Sequence, residues 1–199
     1  QIIGHKVSEL FKHNKNSATV QILKIAVLNA FFQKFAKTNT YKIIRNTDPI
    51  DILDLKKYKS ITMVGAFHSY INKISKFDNN LQVLELNKQA FLPHHQKYYV
   101  PAERFREIIP TSDLVIITGL TLVNNTFDNL LSVIPTTSKS IIIGPSSSII
   151  PDLFFKKNID IIGGTLITKP DLLFPLVSQG AAGYHLFKYC AEKICILNE

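Results

Sequence analysis

Residues 112–126 read S-D-L-V-I-I-T-G-L-T-L-V-N-N-T, and the fold is decided in this stretch. Leu114, Val115, Ile116 and Ile117 form an unbroken aliphatic run, the pattern of a parallel strand covered on both faces. Such a strand lies mid-sheet. The run stops at Thr118-Gly119, and Thr121, Asn124 and Thr126 follow where a strand hands over to a helix. In an open parallel sheet that handover lies at the carboxyl edge, where the crevice forms and ligands bind. Capping is the local explanation: Thr121 as N-cap of a helix through Leu130 and Leu131, Asn125 or Thr126 on free amides. The alternative is that these polar groups face a ligand.

Working outward, similar units lie on both sides. Ser60 to Val64 reads as a short buried strand ending at Gly65, with Tyr70, Ile71 and Ile74 continuing as a helix. Leu81 to Leu86 is a second strand, and residues 87–100 read as one long irregular loop. Pro101 to Ile109 reads as a short helix opened by its proline. Beyond the central unit, Ser140 to Ile143 is a strand ending in Gly144-Pro145-Ser146, and Pro151 to Lys157 a short helix. Ile159 to Ile162 is a strand closed by Gly163-Gly164, and a helix capped by Thr168 runs through Leu176. Gln179 to Gly183 reads as a turn, and Glu192 to Leu197 as an edge strand. Strands alternating with helices at this spacing predict an α/β fold: an open, mostly parallel sheet with helices on both faces. Upstream, Val20, Leu23, Val27, Phe31 and Phe35 recur at three and four, predicting a helix over 17–37 with Ser17 at its N-cap. Residues 38–59 read as a polar connection in which Asp48 caps and Pro49 takes the first helical position.

The pattern D-x-V-I-I-T-G-x-T-L-V-N-x-T, followed some twenty residues later by I-I-I-G-P-S, resembles the putative heavy-metal chelation family of bacteria and archaea. The resemblance covers residues 60–197, with a weaker echo in V-L-N-A at 27–30. It implies a Rossmann-like domain preceded, in the family, by an enolase-N-terminal-like domain. The expected organisation is therefore a helical N-terminal segment over 1–58, the remnant of a smaller first domain, and a Rossmann-like domain over 59–199. By resemblance, the family's polar positions fall on Gly65, Glu85, Thr118, Gly119, Thr121, Asn124, Thr126, Gly144, Pro145 and Ser146. Asn125 stands where the family usually has Gly.

With 199 residues, 46% hydrophobic and 19% charged, the chain suits one domain, or one domain plus a fragment. No run of eighteen apolar residues predicts a membrane span. The chain opens at Gln1 without a basic-then-apolar leader, which predicts a trimmed or processed start rather than a signal peptide. The formal charge of +8 raises the question of a polyanionic partner. The lysines, however, are scattered, Arg is confined to Arg45, Arg104 and Arg106, and no aromatics interleave with a basic patch. Nucleic acid is therefore disfavoured. Cys190 and Cys195 read as reduced core thiols of a cytoplasmic protein, with a soft-metal role left open.

Candidate site chemistry follows from the strand ends. Gly65 to Glu85 spans about twenty residues, the offset at which an acidic residue meets a ribose hydroxyl in dinucleotide folds. The loop reads G-A-F-H-S-Y and lacks two of the three glycines that admit a pyrophosphate. A dinucleotide is disfavoured, and a mononucleoside such as that of S-adenosylmethionine survives. His68 lies at the crevice edge, while His94 and His95 read as exposed loop histidines without the third ligand a metal site needs. Asn29, inside the apolar face of the first long helix, reads either as a surface group or as one aimed at the crevice. Two functions stand. The first is binding of a small polar ligand, a divalent metal ion or metal chelate included, with Glu85, Thr121 and Asn124 as oxygen donors and His68 as the nitrogen. In that reading Glu85 and His68 are the metal-ligand candidates. The second is an enzyme acting on a nucleoside-bearing or carboxylated small molecule, with His68 or Glu85 as acid or base. No Ser-His-Asp order, G-x-S-x-G elbow or Walker loop supports hydrolysis or phosphoryl transfer. A scaffold domain with an unused cleft is the third possibility, and homo-oligomer formation is left open.

Overall fold

A computed structural model of the chain describes residues 4, 6–12, 17–36 and 41–198. The last residue of the expected helix, Lys37, and residues 38–40 of the polar connection lie outside the described residues. Among the described residues eight strands form one sheet: β1 (Ile43–Arg45), β2 (Ser60–Val64), β3 (Asn80–Glu85), β4 (Tyr99–Pro101), β5 (Leu114–Thr118), β6 (Lys139–Ile143), β7 (Ile161–Ile167) and β8 (Ala191–Leu197). Their spatial order is β1-β8-β7-β6-β5-β2-β3-β4. Pairs from β4 across to β7 are parallel, and β8 is antiparallel to both β7 and β1. The sheet grows from β2 outward to β3 and β4, then returns to β5 on the other side of β2 and grows to β6 and β7. That reversal between β2 and β5 is the switch point at which open α/β sheets form their ligand crevice.

The aliphatic run of β5 is what places it there. Leu114, Val115, Ile116 and Ile117 are all fully buried. Val115 and Ile117 join the core on one face with Phe32, Phe127, Leu130 and Phe154. Leu114 and Ile116 join the core on the other with Ile61, Met63, Tyr70, Ile71 and Ile74. The two-residue period of a strand sends alternate side chains to opposite faces, so an unbroken run needs cover on both. Helices supply it. They are α1 (Val7–Lys12), α2 (Ala18–Phe35), α3 (Pro49–Ile52), α4 (His68–Ile74), α5 (Phe105–Ile108), α6 (Leu120–Val123), α7 (Phe127–Leu131), α8 (Asp152–Phe155), α9 (Pro170–Ser178) and α10 (Gly183–Tyr189). Of these, α2, α5, α7 and α8 place residues in the first core, and α3 and α4 in the second.

Helix α2 is stitched to the sheet by Gln33, whose Nε2 donates to Thr165 O at 3.1 Å and whose Oε1 accepts from Ile167 N at 2.8 Å. Phe32 beside it is fully buried. These contacts fix α2 over the carboxyl end of β7.

The structure corrects the sequence reading at several points. β7 runs on to Ile167, so Gly163 and Gly164 lie inside the strand rather than closing it. A Cβ at Gly163 would stand 2.5 Å from Pro49 Cγ, and one at Gly164 would stand 2.9 Å from Ser148 Oγ. These glycines mark close packing against α3 and the turn after β6, the second meaning of glycine in a strand. β8 is not an edge strand, because β1 pairs beyond it. β1 was hidden in the polar connection because three residues carry too little periodicity to be seen, and β4 straddles the expected loop over 87–100 and the expected helix over 101–109, whose Pro101 ends the strand while α5 starts only at Phe105. Helix α10 was also missed, in a stretch read only as a turn followed by unassigned chain. Thr168 does not cap; α9 begins after Lys169 with Pro170 in its first turn. Ser17 and Asp48 occupy N-cap positions without side-chain cap bonds. Asp48 instead accepts from Tyr70 Oη and, at 2.7 Å, from Lys193 Nζ.

Candidate functional site

A cavity of roughly 460 Å³ opens at the switch point, above the carboxyl ends of β2, β3 and β5. The loop after β2 begins at Gly65, with φ +96°, a left-handed conformation that glycine adopts without strain. Its N–H donates to Leu84 O at 2.9 Å, turning the chain back toward β3. Glu85 closes β3, and both its oxygens are engaged. Ala66 N donates to Oε2 at 3.0 Å, and Leu86 N and Asn87 N donate to Oε1 at 2.8 and 3.1 Å. One carboxylate thus ties the loop after β2 to the loop after β3. Three bonds leave it acceptor capacity, since a carboxylate offers about four lone-pair sites.

The β5 junction is shaped by its own hydroxyls and amide. Thr121 is buried and donates from Oγ1 to Thr118 O at 2.7 Å; Leu120 N donates to Thr118 Oγ1 at 3.3 Å. Asn124 Oδ1 accepts from both Thr126 N at 3.2 Å and Thr126 Oγ1 at 2.7 Å. Thr121 is therefore not an N-cap as expected; Gly119 and Thr126 hold the cap positions of α6 and α7. Asn125 has φ +58°. A left-handed residue explains a position where glycine is usual, and Asn is among the side chains that best tolerate it.

Six expected residues line the cavity: Gly65, Glu85, Thr118, Thr121, Asn124 and Thr126. Their hydroxyls and amide serve chiefly to build the wall. The remainder, His68 aside, gather next door. Gly119 N donates to Ile143 O at 2.8 Å, and a Cβ there would stand 2.9 Å from Ser147 N and 3.2 Å from Ser146 Cβ. Gly144, at φ +119°, turns the chain into Pro145 and Ser146. Asn29 of α2 reaches this turn, donating from Nδ2 to Pro145 O at 3.1 Å, while its Oδ1 is buried with no hydrogen-bond partner. Asn29, Gly119, Gly144, Pro145 and Ser146 thus form a packed junction beside the crevice rather than part of its lining.

His68 is turned away from the lining and faces His95, their Nδ1 atoms 3.0 Å apart. His95 is buried, not exposed as its loop position suggested. Sequence reasoning missed the apolar half of the cavity: Phe67, Leu86, Ala102, Phe105, Leu120 and Leu130. Leu86 and Leu120 stand exposed at its edge, which the folded structure alone reveals. Glu103 was missed as a second acid of the lining, which contains no Lys or Arg among the described residues.

A family model described as "Putative heavy-metal chelation" matches residues 48–196. The chain belongs to this family, DUF364. An uncharacterized protein of Methanocaldococcus jannaschii is 26% identical over 178 residues; the match takes in 86% of this chain and 63% of that protein. The chain therefore spans less than two thirds of that relative. Among solved structures, a DUF364 protein of unknown function from Pyrococcus horikoshii superposes with TM-score 0.81 at 17% identity, covering 95% of this chain and 73% of that one. A DUF364 protein of unknown function from Desulfitobacterium hafniense superposes with TM-score 0.73 at 19% identity, covering 93% and 70%. Both likenesses concern the fold, and they agree with the Rossmann-like, mostly parallel sheet.

The DUF364 description names a metal, and the crevice does not fit a soft heavy one. No group of three or more His, Cys, Asp or Glu side chains among the described residues is placed to hold an ion. Both cysteines are buried. Cys195 Sγ donates to Thr47 O at 3.2 Å, and burial, with Asp48 and Asp51 nearby, pushes its thiol up to about 12. Soft metals need the thiolate, which this setting disfavours. Glu85, the one strand-end carboxylate, is a hard oxygen donor with three main-chain amides already on it, a poor partner for a soft ion even though acceptor capacity for a hydroxyl is left. No described helix is long and apolar enough to cross a membrane.

Proposed function

We propose that the crevice binds a small molecule bearing a single nucleoside, its ribose diol on Glu85 and its base in the apolar half of the cavity. The observation that carries this reading is the Glu85 carboxylate, held at the rim of the apolar cavity by the amides of Ala66, Leu86 and Asn87. A carboxylate fixed in this way is preorganised to accept from hydroxyls without reorganisation on binding. Its position at the end of the strand next to β2 is the one that takes a ribose hydroxyl in dinucleotide folds. Phe67, Leu86, Phe105 and Leu120 offer the apolar, partly aromatic walls that a flat base fills. The volume lies inside the ~300–1,000 Å³ range of small-molecule sites.

Charge narrows the ligand. Glu85 and Glu103 line the cavity without a Lys or Arg among the described lining residues. A pyrophosphate would sit among carboxylates with no countercharge, and Gly65 is the lone glycine of its loop. A neutral or cationic nucleoside, such as adenosine or S-adenosylmethionine, meets no such penalty. The expected oxygen-donor roles of Thr118, Thr121, Asn124 and Thr126 become wall-building roles in this reading. Gly65 and Glu85 keep direct contact.

Calorimetric titration tests it. Adenosine and S-adenosylmethionine should bind, and NAD should not. Removing one hydroxyl of the diol, as in 2′-deoxyadenosine, should weaken binding ~10–100-fold, the worth of a hydrogen bond to a charged group. Equal affinity for adenosine and its deoxy form would remove Glu85 from ribose recognition and the nucleoside reading with it.

A further inference from the structure

On the side of the crevice built by β3 and β4, Leu86, Ala90, Ala102 and Phe105 line the cavity, and Glu85 and Glu103 are the polar side chains among them. Glu85 lies beside Pro101 across the parallel pair of β3 and β4, strands that run about 4.8 Å apart. Glu103 follows two residues later, in the 3-10 turn Ala102–Arg104. The two carboxylates therefore rise from neighbouring strand ends. Glu103 belongs to the same short segment as the wall residues Ala102 and Phe105.

The Glu103 carboxylate has no hydrogen-bond or ion-pair partner among the described residues, although cations lie close in the chain. Arg104 spends its guanidinium on Glu107, Nε donating to Oε2 at 2.9 Å and Nη2 to Oε1 at 2.5 Å. Arg106 lies over the Phe105 ring, its Cζ 5.0 Å from the centroid, and Lys88 Nζ over the Tyr99 ring at 5.8 Å. None of the three lines the cavity. In a chain of formal charge +8, the cations of this rim are turned to other partners, and Glu103 keeps its acceptor capacity.

With a ribose on Glu85, a base filling the apolar half of the cavity brings its polar edge there too, and a polar group taken out of water without a partner is costly. Glu103 is the other polar side chain on that side. An ionised carboxylate only accepts, so the edge it meets must donate. An exocyclic amine does so, whereas a carbonyl oxygen or a ring-nitrogen lone pair in the same place would be repelled. Resting on the nucleoside reading above, we propose that Glu103 is the specificity-determining residue for the base and selects one that carries an exocyclic amine, whose N–H donates to the carboxylate. Adenine, guanine and cytosine share this chemistry.

Calorimetric titration with three matched pairs tests it: adenosine against purine riboside, guanosine against inosine, and cytidine against uridine. In at least one pair the amine-bearing member should bind ~5–30-fold tighter, the worth of a hydrogen bond to a charged group reduced by the open rim, and that pair identifies the base. Glu103→Ala should erase the difference by weakening the amine-bearing member. Glu103→Gln, which retains one acceptor oxygen, should keep part of it. Glu103 is exposed, so neither substitution disturbs the core. Equal affinities within every pair, with the nucleosides still bound, overturn the role of Glu103 and leave ribose recognition by Glu85 standing. A difference that persists undiminished in Glu103→Ala overturns it as well. Binding of none of the six removes the nucleoside reading itself, and this inference with it.

Discussion

Replacing Glu85 by Gln probes the claim that one carboxylate joins two loops of the crevice. In the native chain Oε2 accepts from Ala66 N, and Oε1 from Leu86 N and Asn87 N. A Gln side chain has a single acceptor oxygen. Turned toward Leu86 and Asn87, it keeps two bonds, but its NH2 then faces the N–H of Ala66, donor against donor. Turned the other way it loses two. The less costly orientation forfeits one charge-assisted bond and demotes two others to neutral ones. Bonds to charged groups are worth ~1.5–3 kcal/mol and neutral ones ~0.5–1.5 kcal/mol, and water reaches this half-buried site, so a net loss of about 2–3 kcal/mol is expected. For a chain of 199 residues that corresponds to a Tm lower by roughly 4–12 °C. Urea denaturation and calorimetry read the magnitude, and hydrogen exchange reads the location, with faster exchange at Ala66, Leu86 and Asn87. A variant as stable as the parent, with unchanged exchange at those amides, would refute the tie between the loops.

Gly119→Ala should destabilise by ~1–3 kcal/mol, because its Cβ meets the main chain of Ser147 at 2.9 Å; urea unfolding measures it. Asn125→Gly should be near neutral and Asn125→Ala should cost ~1–2 kcal/mol, since φ is +58° there, and the same assay separates them. Phe32→Ala should cost ~3–5 kcal/mol by emptying a fully buried site on α2, seen as a lower urea midpoint. Cys195 titrates near 12 when folded against an ordinary 9.0. The folded state therefore holds that proton more tightly, and this contribution to stability is complete below pH ~9 and fades as pH climbs toward 12. Cys195→Ala should flatten the alkaline loss, and in the native protein the thiol should resist alkylation at pH 8 until urea exposes it.

Much of the fold was legible because the strands that set it are long and apolar on both faces. Leu114 to Ile117, aliphatic and mostly β-branched and bounded by Asp113 and Gly119, read as a central strand, and its neighbours at 60–64, 81–86 and 140–143 followed the same rule. What escaped was short or made of exceptions. β1 and β4 have three residues each, and Gly163-Gly164 reads as a stop when its true cause is Pro49 and Ser148 pressing on the strand. The candidate site was half legible. Polar strand ends announced where the crevice lies, yet a hydroxyl bonding its own turn and one facing a ligand look alike in sequence, as Thr121 shows. The apolar wall from Phe67 and Phe105 carried no local mark. His95 was misjudged because only the tertiary fold reveals that α4 covers it.

Gln33 lends this molecule an unusual constraint. Its amide serves Thr165 and Ile167 as a neighbouring peptide would, so a helix more than a hundred residues upstream behaves toward β7 as if it were one more rung of the ladder. Sliding α2 by a single residue would strand both main-chain groups at once. The α2 side of the molecule is consequently locked to the sheet, whereas on the cavity lining Ala102 to Phe105 rest on short 3-10 and helical turns that Gln33 does not tie.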